Sequence, residues 1–264
     1  MLKAIVMGII EGLTEFLPIS STGHMIIACP LLNIDPESPF WNSFIYFIQI
    51  GAILAVVIHF WGRLLSLAPR TPGQPLREHM AFKLVVAFIP AVVIGLLLND
   101  WVEARLGGSI PVAVTLIVGA ALIELVERTC TQPSTTQAEA ITLRQAFLIG
   151  CFQCLAIIPG TSRSGATIMG GLVVGLSAPV AAEFSFFLAI PTVFGAGVYK
   201  LFSHRESLSM ENAPILGVGF VVSFVVALIV VAWFMRYVQS HRFRVFVIYR
   251  VVLGLVVLGW ALRP

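Results

Sequence analysis

Two carboxylates four residues apart, Glu11 and Glu15, are followed within nine residues by Ser20, Ser21, Thr22 and His24, in the stretch EGLTEFLPISSTGH. On a helix that spacing sets both acids on one face, where like charges repel unless a cation lies between them. An all-oxygen donor set suits a hard divalent cation, Mg²⁺ or Ca²⁺, better than a thiolate-seeking metal. The structural alternative keeps one acid protonated or paired with Arg163. His24 is the only histidine in the polar stretches, and its ordinary pKa fits proton transfer near neutrality. A histidine merely hydrogen-bonded in the packing is the competing reading. A second polar stretch, QCLAIIPGTSRSGAT at Gln153 to Thr167, sets Gly160, Thr161, Ser162, Ser164 and Thr167 around one arginine, Arg163. A guanidinium keeps its proton and offers a planar fork that matches two phosphate oxygens. The alternative for Arg163 is a structural ion pair with a carboxylate such as Glu183.

The two stretches resemble each other. A shift of 142 positions lays Gly8 on Gly150, Glu11 on Gln153, Ser20 on Ser162, Thr22 on Ser164 and Gly23 on Gly165. A single membrane domain over residues 1–264, built from diverged repeats at about 1–125 and 143–264, is the expectation. Because Gln153 stands where the first copy has Glu11, a metal site is expected to lean toward the first repeat.

The elements that position these residues are read from apolar runs. Hydrophobic residues make up 58% of the chain, charged residues 11%, and mean hydropathy is +0.98, far from the roughly 25% charged content of soluble domains. Six runs approach the ~20 residues needed to cross a bilayer, near Phe44–Phe60, Lys83–Leu98, Ile110–Leu125, Glu183–Tyr199, Pro214–Phe234 and Val245–Leu262. Each polar stretch reads as two half-helices around a break. The first pairs Met1–Leu17 with Gly23–Leu32 around Pro18–Thr22, the second Gln145–Ile158 with Gly165–Leu176 around Pro159–Ser164. The predicted fold is therefore an all-α integral membrane protein with six transmembrane helices and two re-entrant hairpins. Irregular backbone at membrane depth is tolerated only where protein buries it or it lines a wet cavity, so both breaks are expected to face inward.

Cations cluster at Arg63, Arg70, Arg77 and Lys83, then Arg128 and Arg144, then Arg236, Arg242 and Arg244. The positive-inside rule assigns those loops to the cytoplasm and both termini to the outside. Three spans then separate the polar stretches, which inverts the second repeat, an architecture whose copies meet near the midplane around a shared site. A helix that starts at mid-depth presents unpaired N–H groups and positive dipole, a ready anion site; Ser20, Thr22 and Ser162 add hydroxyl donors, although simple capping explains the same residues. The apolar start is expected to remain on the mature protein, since Glu11 interrupts it and no cleavage pattern follows. Cys151 and Cys154 form a C-x-x-C without a second pair or a neighbouring His, which points to packing. No basic domain indicates nucleic-acid binding. His59, His79, His204 and His241 take no role. Gln153, Glu183 and Arg250 are candidates for a supporting shell, with Arg250 alternatively snorkelling to an interface.

EGLTEFLPISSTGH and PGTSRSGAT closely resemble the two signature motifs of the bacterial undecaprenyl-diphosphate phosphatases associated with bacitracin resistance, and KLVVAFIPAVVIG and EFSFFLAIP extend the resemblance across the chain. What it implies is metal-dependent hydrolysis of undecaprenyl diphosphate to undecaprenyl phosphate and inorganic phosphate in the inner membrane, which recycles the lipid carrier of cell-wall polymers and underlies bacitracin resistance. Glu11 and Glu15 match the acidic motif of that family, Ser21 and His24 its hydroxyl and histidine, and Ser162 and Arg163 its phosphate loop. The nucleophile stays open between Ser21, His24 and a metal-bound water, with Ser21 favoured, His24 as its proton partner and Glu15 on the metal or orienting His24. A lipid flippase using the same anion site is the alternative. Type-2 phosphatidic acid phosphatases fit poorly, because no His follows Arg163 until His204. A site opening to the extracytoplasmic side is expected, and a homodimer stays open.

Overall fold

Lipid offers backbone polar groups no partners, so apolar runs of crossing length must close their hydrogen bonds internally as helices. The computed structural model describes residues 1–66, 75, 78–203 and 210–262, with the side chains of Asp100, Glu103 and Ser203 left out. Arg70, Arg77 and His204 lie outside the described residues. In chain order the helices are α1 (Leu2–Thr14), α2 (Ser21–Leu31), α3 (Pro39–His59), α4 (Trp61–Ser66), α5 (Met80–Leu106), α6 (Ser109–Thr129), α7 (Leu143–Gln153), α8 (Arg163–Val173), α9 (Ala178–Ser203), α10 (Ala213–Tyr237) and α11 (Arg244–Ala261). The described residues contain no β-strand. Six helices, α3, α5, α6, α9, α10 and α11, are long and apolar enough to cross a membrane. Each coincides with an expected span, and the chain is a multi-pass membrane protein. Large apolar side chains such as Ile89 and Leu96 on α5, Val225 and Ile229 on α10, and Val252 and Val256 on α11 point outward, as a lipid-facing surface requires.

The other helices near the polar stretches are short. None of α1, α2, α7 and α8 exceeds 13 residues, about 20 Å at 1.5 Å per residue, against a hydrocarbon core of about 30 Å. They are held by close packing on spanning helices, α1 on α10 and α7 on α5. Between lipid-embedded helices no hydrophobic force operates, so small residues that let backbones approach supply the attraction. A β-carbon at Gly8 would stand 2.7 Å from the Gly219 carbonyl oxygen, and one at Gly150, its counterpart by the 142-residue shift, would collide with the Ala87 carbonyl on α5. The remaining framework pairs α3 with α9 and α10, and α6 with α11.

Polar contacts gather the loops at one end. Arg63, after α3, binds Glu139 at 2.5 Å and Glu183 on α9 at 2.8 Å, and Lys83 Nζ donates to the Glu139 carbonyl at 2.7 Å. The Arg63 guanidinium beside Glu139 holds that carboxyl below its ordinary range. At the opposite end, Lys3 Nζ donates to the Asn33 carbonyl at 2.9 Å, closing the start of α1 against the end of α2.

Candidate active site

Each polar stretch turns on one serine. Ser20 sits at φ 69°, ψ 102°, and its hydroxyl accepts from the Gly23 N–H at 3.3 Å; Ser162 sits at φ 73°, ψ 117°, and accepts from the Gly165 N–H at 3.2 Å. Positive φ is costly for a residue with a β-carbon, and such strain gathers at ligand sites. The caps end both breaks earlier than the sequence suggested. Because the serine oxygen satisfies an orphan amide of the first turn, helix begins at the next residue. Ser21 and Thr22 therefore belong to α2, and Arg163 and Ser164 to α8. Behind Ser162, Gly160 at φ 90° lies too close to Val112 and Thr115 of α6 for any side chain.

The tips of the two breaks meet. Ser164 Oγ donates to the Leu17 carbonyl at 2.8 Å and lies 3.0 Å from Ser162 Oγ. The Glu15 carboxylate is the junction: Ser21 Oγ donates to its Oε2 at 3.0 Å, and Arg163 Nη2 donates to its Oε1 at 3.0 Å. Arg163 also donates from Nη1 to the Ser185 carbonyl at 3.1 Å and rests 5.8 Å above the Phe16 ring, while its buried Nε has no partner among the described residues. Thr167 Oγ1 lies 2.6 Å from Ser185 Oγ. A carboxylate, a hydroxyl and a guanidinium with a free N–H thus converge from two separate chain segments. Such a combination has the chemistry to bind phosphoryl oxygens and to draw a proton from a hydroxyl.

Glu11 is fully buried beside Glu15, and among the described residues no N–H or hydroxyl donor reaches either carboxylate oxygen; both amide atoms of Gln153 are equally unpartnered. Native proteins rarely leave such groups orphaned, so Glu11 fits a ligand that supplies positive charge, as a bound cation does. Among the described residues no three His, Cys, Asp or Glu lie together as a metal site, so a cation held by Glu11 and Glu15 would need further oxygens from a substrate or water.

His24 is engaged on both nitrogens, Nδ1 with the Ser20 carbonyl at 2.7 Å and Nε2 with Tyr249 Oη at 2.6 Å. A carbonyl only accepts, so the proton sits on Nδ1, and Nε2 accepts from the tyrosine in the neutral ring. The expected pairing of Ser21 with His24 gives way to Ser21 with Glu15, because the imidazole is turned against α11 and stacks on Tyr249 at 5.5 Å. Glu183 does not reach Arg163; it pairs with Arg63. Residues two apart on a helix face different ways, and Ser185, two beyond Glu183, is the one that meets Arg163. Arg250 does not snorkel. It is fully buried, and it draws the Gly160 and Thr161 carbonyls to itself. The Thr161 N–H is taken by the Ile158 carbonyl at 3.2 Å, so Thr161 does not present that group to a ligand. Ser185 and Tyr249 escaped the sequence reading. Their only signals were a serine within EFSFF and a tyrosine beside an intramembrane arginine.

A profile described as "Bacitracin resistance protein BacA" matches residues 4–256. The chain belongs to the BacA family. Its BacA relatives include proteins named "Undecaprenyl-diphosphatase" from Polaromonas naphthalenivorans, 46% identical over 265 residues that cover 99% of this chain and 95% of that one, and from Rhodopseudomonas palustris, 44% identical over 253 residues, 96% and 94% of the two chains. "Undecaprenyl-diphosphatase 3" of Acinetobacter baylyi is 46% identical over 257 residues, 97% and 96%. Every residue of the Glu15 junction lies inside the BacA match.

Proposed function

We propose that this BacA-family chain hydrolyses undecaprenyl diphosphate to undecaprenyl phosphate and inorganic phosphate. The observation that carries the reading is the Glu15 carboxylate held between Ser21 of one break and Arg163 of the other, within a chain so similar to proteins named undecaprenyl-diphosphatase. Phosphoryl transfer needs positioning and charge neutralisation more than covalent chemistry from the protein. Arg163 binds the non-bridging oxygens through its fork, and the first-turn amides of α8 that Ser162 leaves uncapped, those of Arg163 and Ser164, add donors. Glu15 takes the proton of the attacking hydroxyl, either that of Ser21 or that of a water in its place. The attacking oxygen bonds to the terminal phosphorus as the anhydride bond breaks and undecaprenyl phosphate departs with the bond electrons. If Ser21 attacks, water then releases phosphate from the serine. Glu11 and Glu15 are the residues to hold a Mg²⁺ or Ca²⁺ ion, which when bound supplies further neutralisation of the diphosphate charge.

The two broken-helix units are read as one unit duplicated and inverted, over about 1–125 and 143–264. Their equal serine conformations and the matched packing of α1 on α10 and α7 on α5 support this. The setting is a bacterial inner membrane. Arg63, Lys83, Glu139 and Glu183 share the cation-rich end, whereas α1 and α2 open from the Lys3 end, which supports access from the extracytoplasmic side. Detergent-purified protein is expected to release phosphate from undecaprenyl diphosphate and to lose that activity on chelation. Absence of release with the metal present sinks the reading.

A further inference from the structure

Arg250 on α11 is a buried cation without a carboxylate. Its Nε donates to the Leu116 carbonyl at 3.2 Å, Nη1 to Pro18 and Thr161 at 3.1 Å each, and Nη2 to Thr115 and Gly160 at 3.2 Å each. Five N–H donors meet five carbonyls, the full capacity of a guanidinium. Two acceptors lie on α6, one in the first break and two in the second, and Gly119 on α6 leaves the space that the guanidinium fills. Neutral carbonyls return less than a charge loses on leaving water, and an apolar side chain of like volume fills such a space more cheaply. The charge therefore calls for a use beyond packing.

Peptide geometry supplies one. A carbonyl and the N–H that follows it point in opposite directions, so the Thr161 carbonyl aimed at Arg250 turns the Ser162 N–H, at the cap of α8, the other way. We infer that Arg250 is a positioning residue for the diphosphate. It fixes the separation of the two breaks, aims the amides at the start of α8 toward the phosphates, and sets an uncompensated positive charge behind them. This role rests on the phosphatase reading and extends it to a residue on the last helix.

The test compares wild type, Arg250→Met and Arg250→Lys in detergent, with melting temperature, kcat and KM measured on undecaprenyl diphosphate. For Arg250→Met, kcat is expected to fall about 100-fold or more while the melting point stays within about 5 °C. Lysine keeps the charge with three donors and is expected to restore at least about tenfold of that loss. Methionine activity within about threefold of wild type, or a loss that only tracks the unfolded fraction, overturns the inference. Should neither variant fold, Gly119→Ala decides, because a β-carbon there would meet the Arg250 guanidinium and displace it while the arginine itself is kept. There a roughly fivefold fall in kcat at unchanged melting point supports the role, and an unchanged kcat overturns it. Inactive wild type strikes at the phosphatase reading instead; affinity for inorganic diphosphate, compared between wild type and Arg250→Met, then decides the positioning role, equal affinities overturning it.

Discussion

The first break gathers groups that give and take protons, and the second gathers fixed positive charge, although the backbone device is the same in both. Ser20 and Ser162 adopt the same left-handed conformation and cap the same way. The residues that follow diverge: the 142-residue shift lays Ser21 on Arg163 and His24 on Ala166. Thr22 is exposed, while its counterpart Ser164 is fully buried and tied to the Leu17 carbonyl. Glu15 has Ile157 as its counterpart and joins the two units by accepting from both. Two helix starts of like backbone can thus carry side chains of unlike chemistry.

The largest effect is expected on the cationic side. Arg163→Ala should lower kcat/KM about 10³-fold, and Arg163→Lys at least about 10²-fold, since a point charge cannot bridge Glu15, Ser185 and a phosphate at once. Steady-state phosphate release checks both, and a lysine variant near wild type breaks the contrast between fork and charge. Glu15→Gln should follow at about 10²-fold, because the buried Arg163 then loses its counter-charge; wild-type turnover in this variant removes Glu15 as the shared acceptor. Next, Glu11→Gln copies the second unit into the first and should raise the metal concentration for half-maximal activity by about tenfold or more. An unchanged metal titration ends the assignment of Glu11 as a ligand. Ser164→Ala should mainly cost stability, about 1–2 kcal/mol for the lost buried hydrogen bond, whereas Ser21→Ala should mainly cost turnover; melting curves and rates on the two proteins sharpen the division of labour if they separate and break it if they do not. Replacing Cys151 and Cys154 by alanine is expected to leave activity within about twofold, and a larger loss in folded protein reopens a thiol role.

Much of this was legible in the chain because membrane rules are strict. Apolar length gave six spans, and Pro and Gly beside hydroxyl residues marked both breaks. The pairing of breaks was legible from the 142-residue shift, since a serine three residues before a glycine is a capping pattern in each. Both helices start two residues before the expected Gly23 and Gly165, because a cap is set by side-chain geometry, which residue type alone leaves open. Partners distant in sequence were harder. Glu183 looked available to Arg163, but Arg63 lies outside the polar stretches and claims it. Tyr249 stands 225 residues from His24, and no local pattern joins them. Arg250 was ambiguous because its partners are carbonyls, which every residue possesses and no sequence advertises.

The glycine-lubricated seats of α1 and α7 have a mechanical outcome. Each broken unit is pressed onto a spanning helix from the other half of the chain, α1 on α10 and α7 on α5, as two clasped hands each hold the other's thumb. A carrier of this general architecture works by rocking one half against the other; here such a swing would pry Gly8 off Gly219 and Gly150 off Ala87. Interlocked in this way, the two broken units hold each other's tips in register, which suits chemistry at a fixed junction better than a carrier's swing.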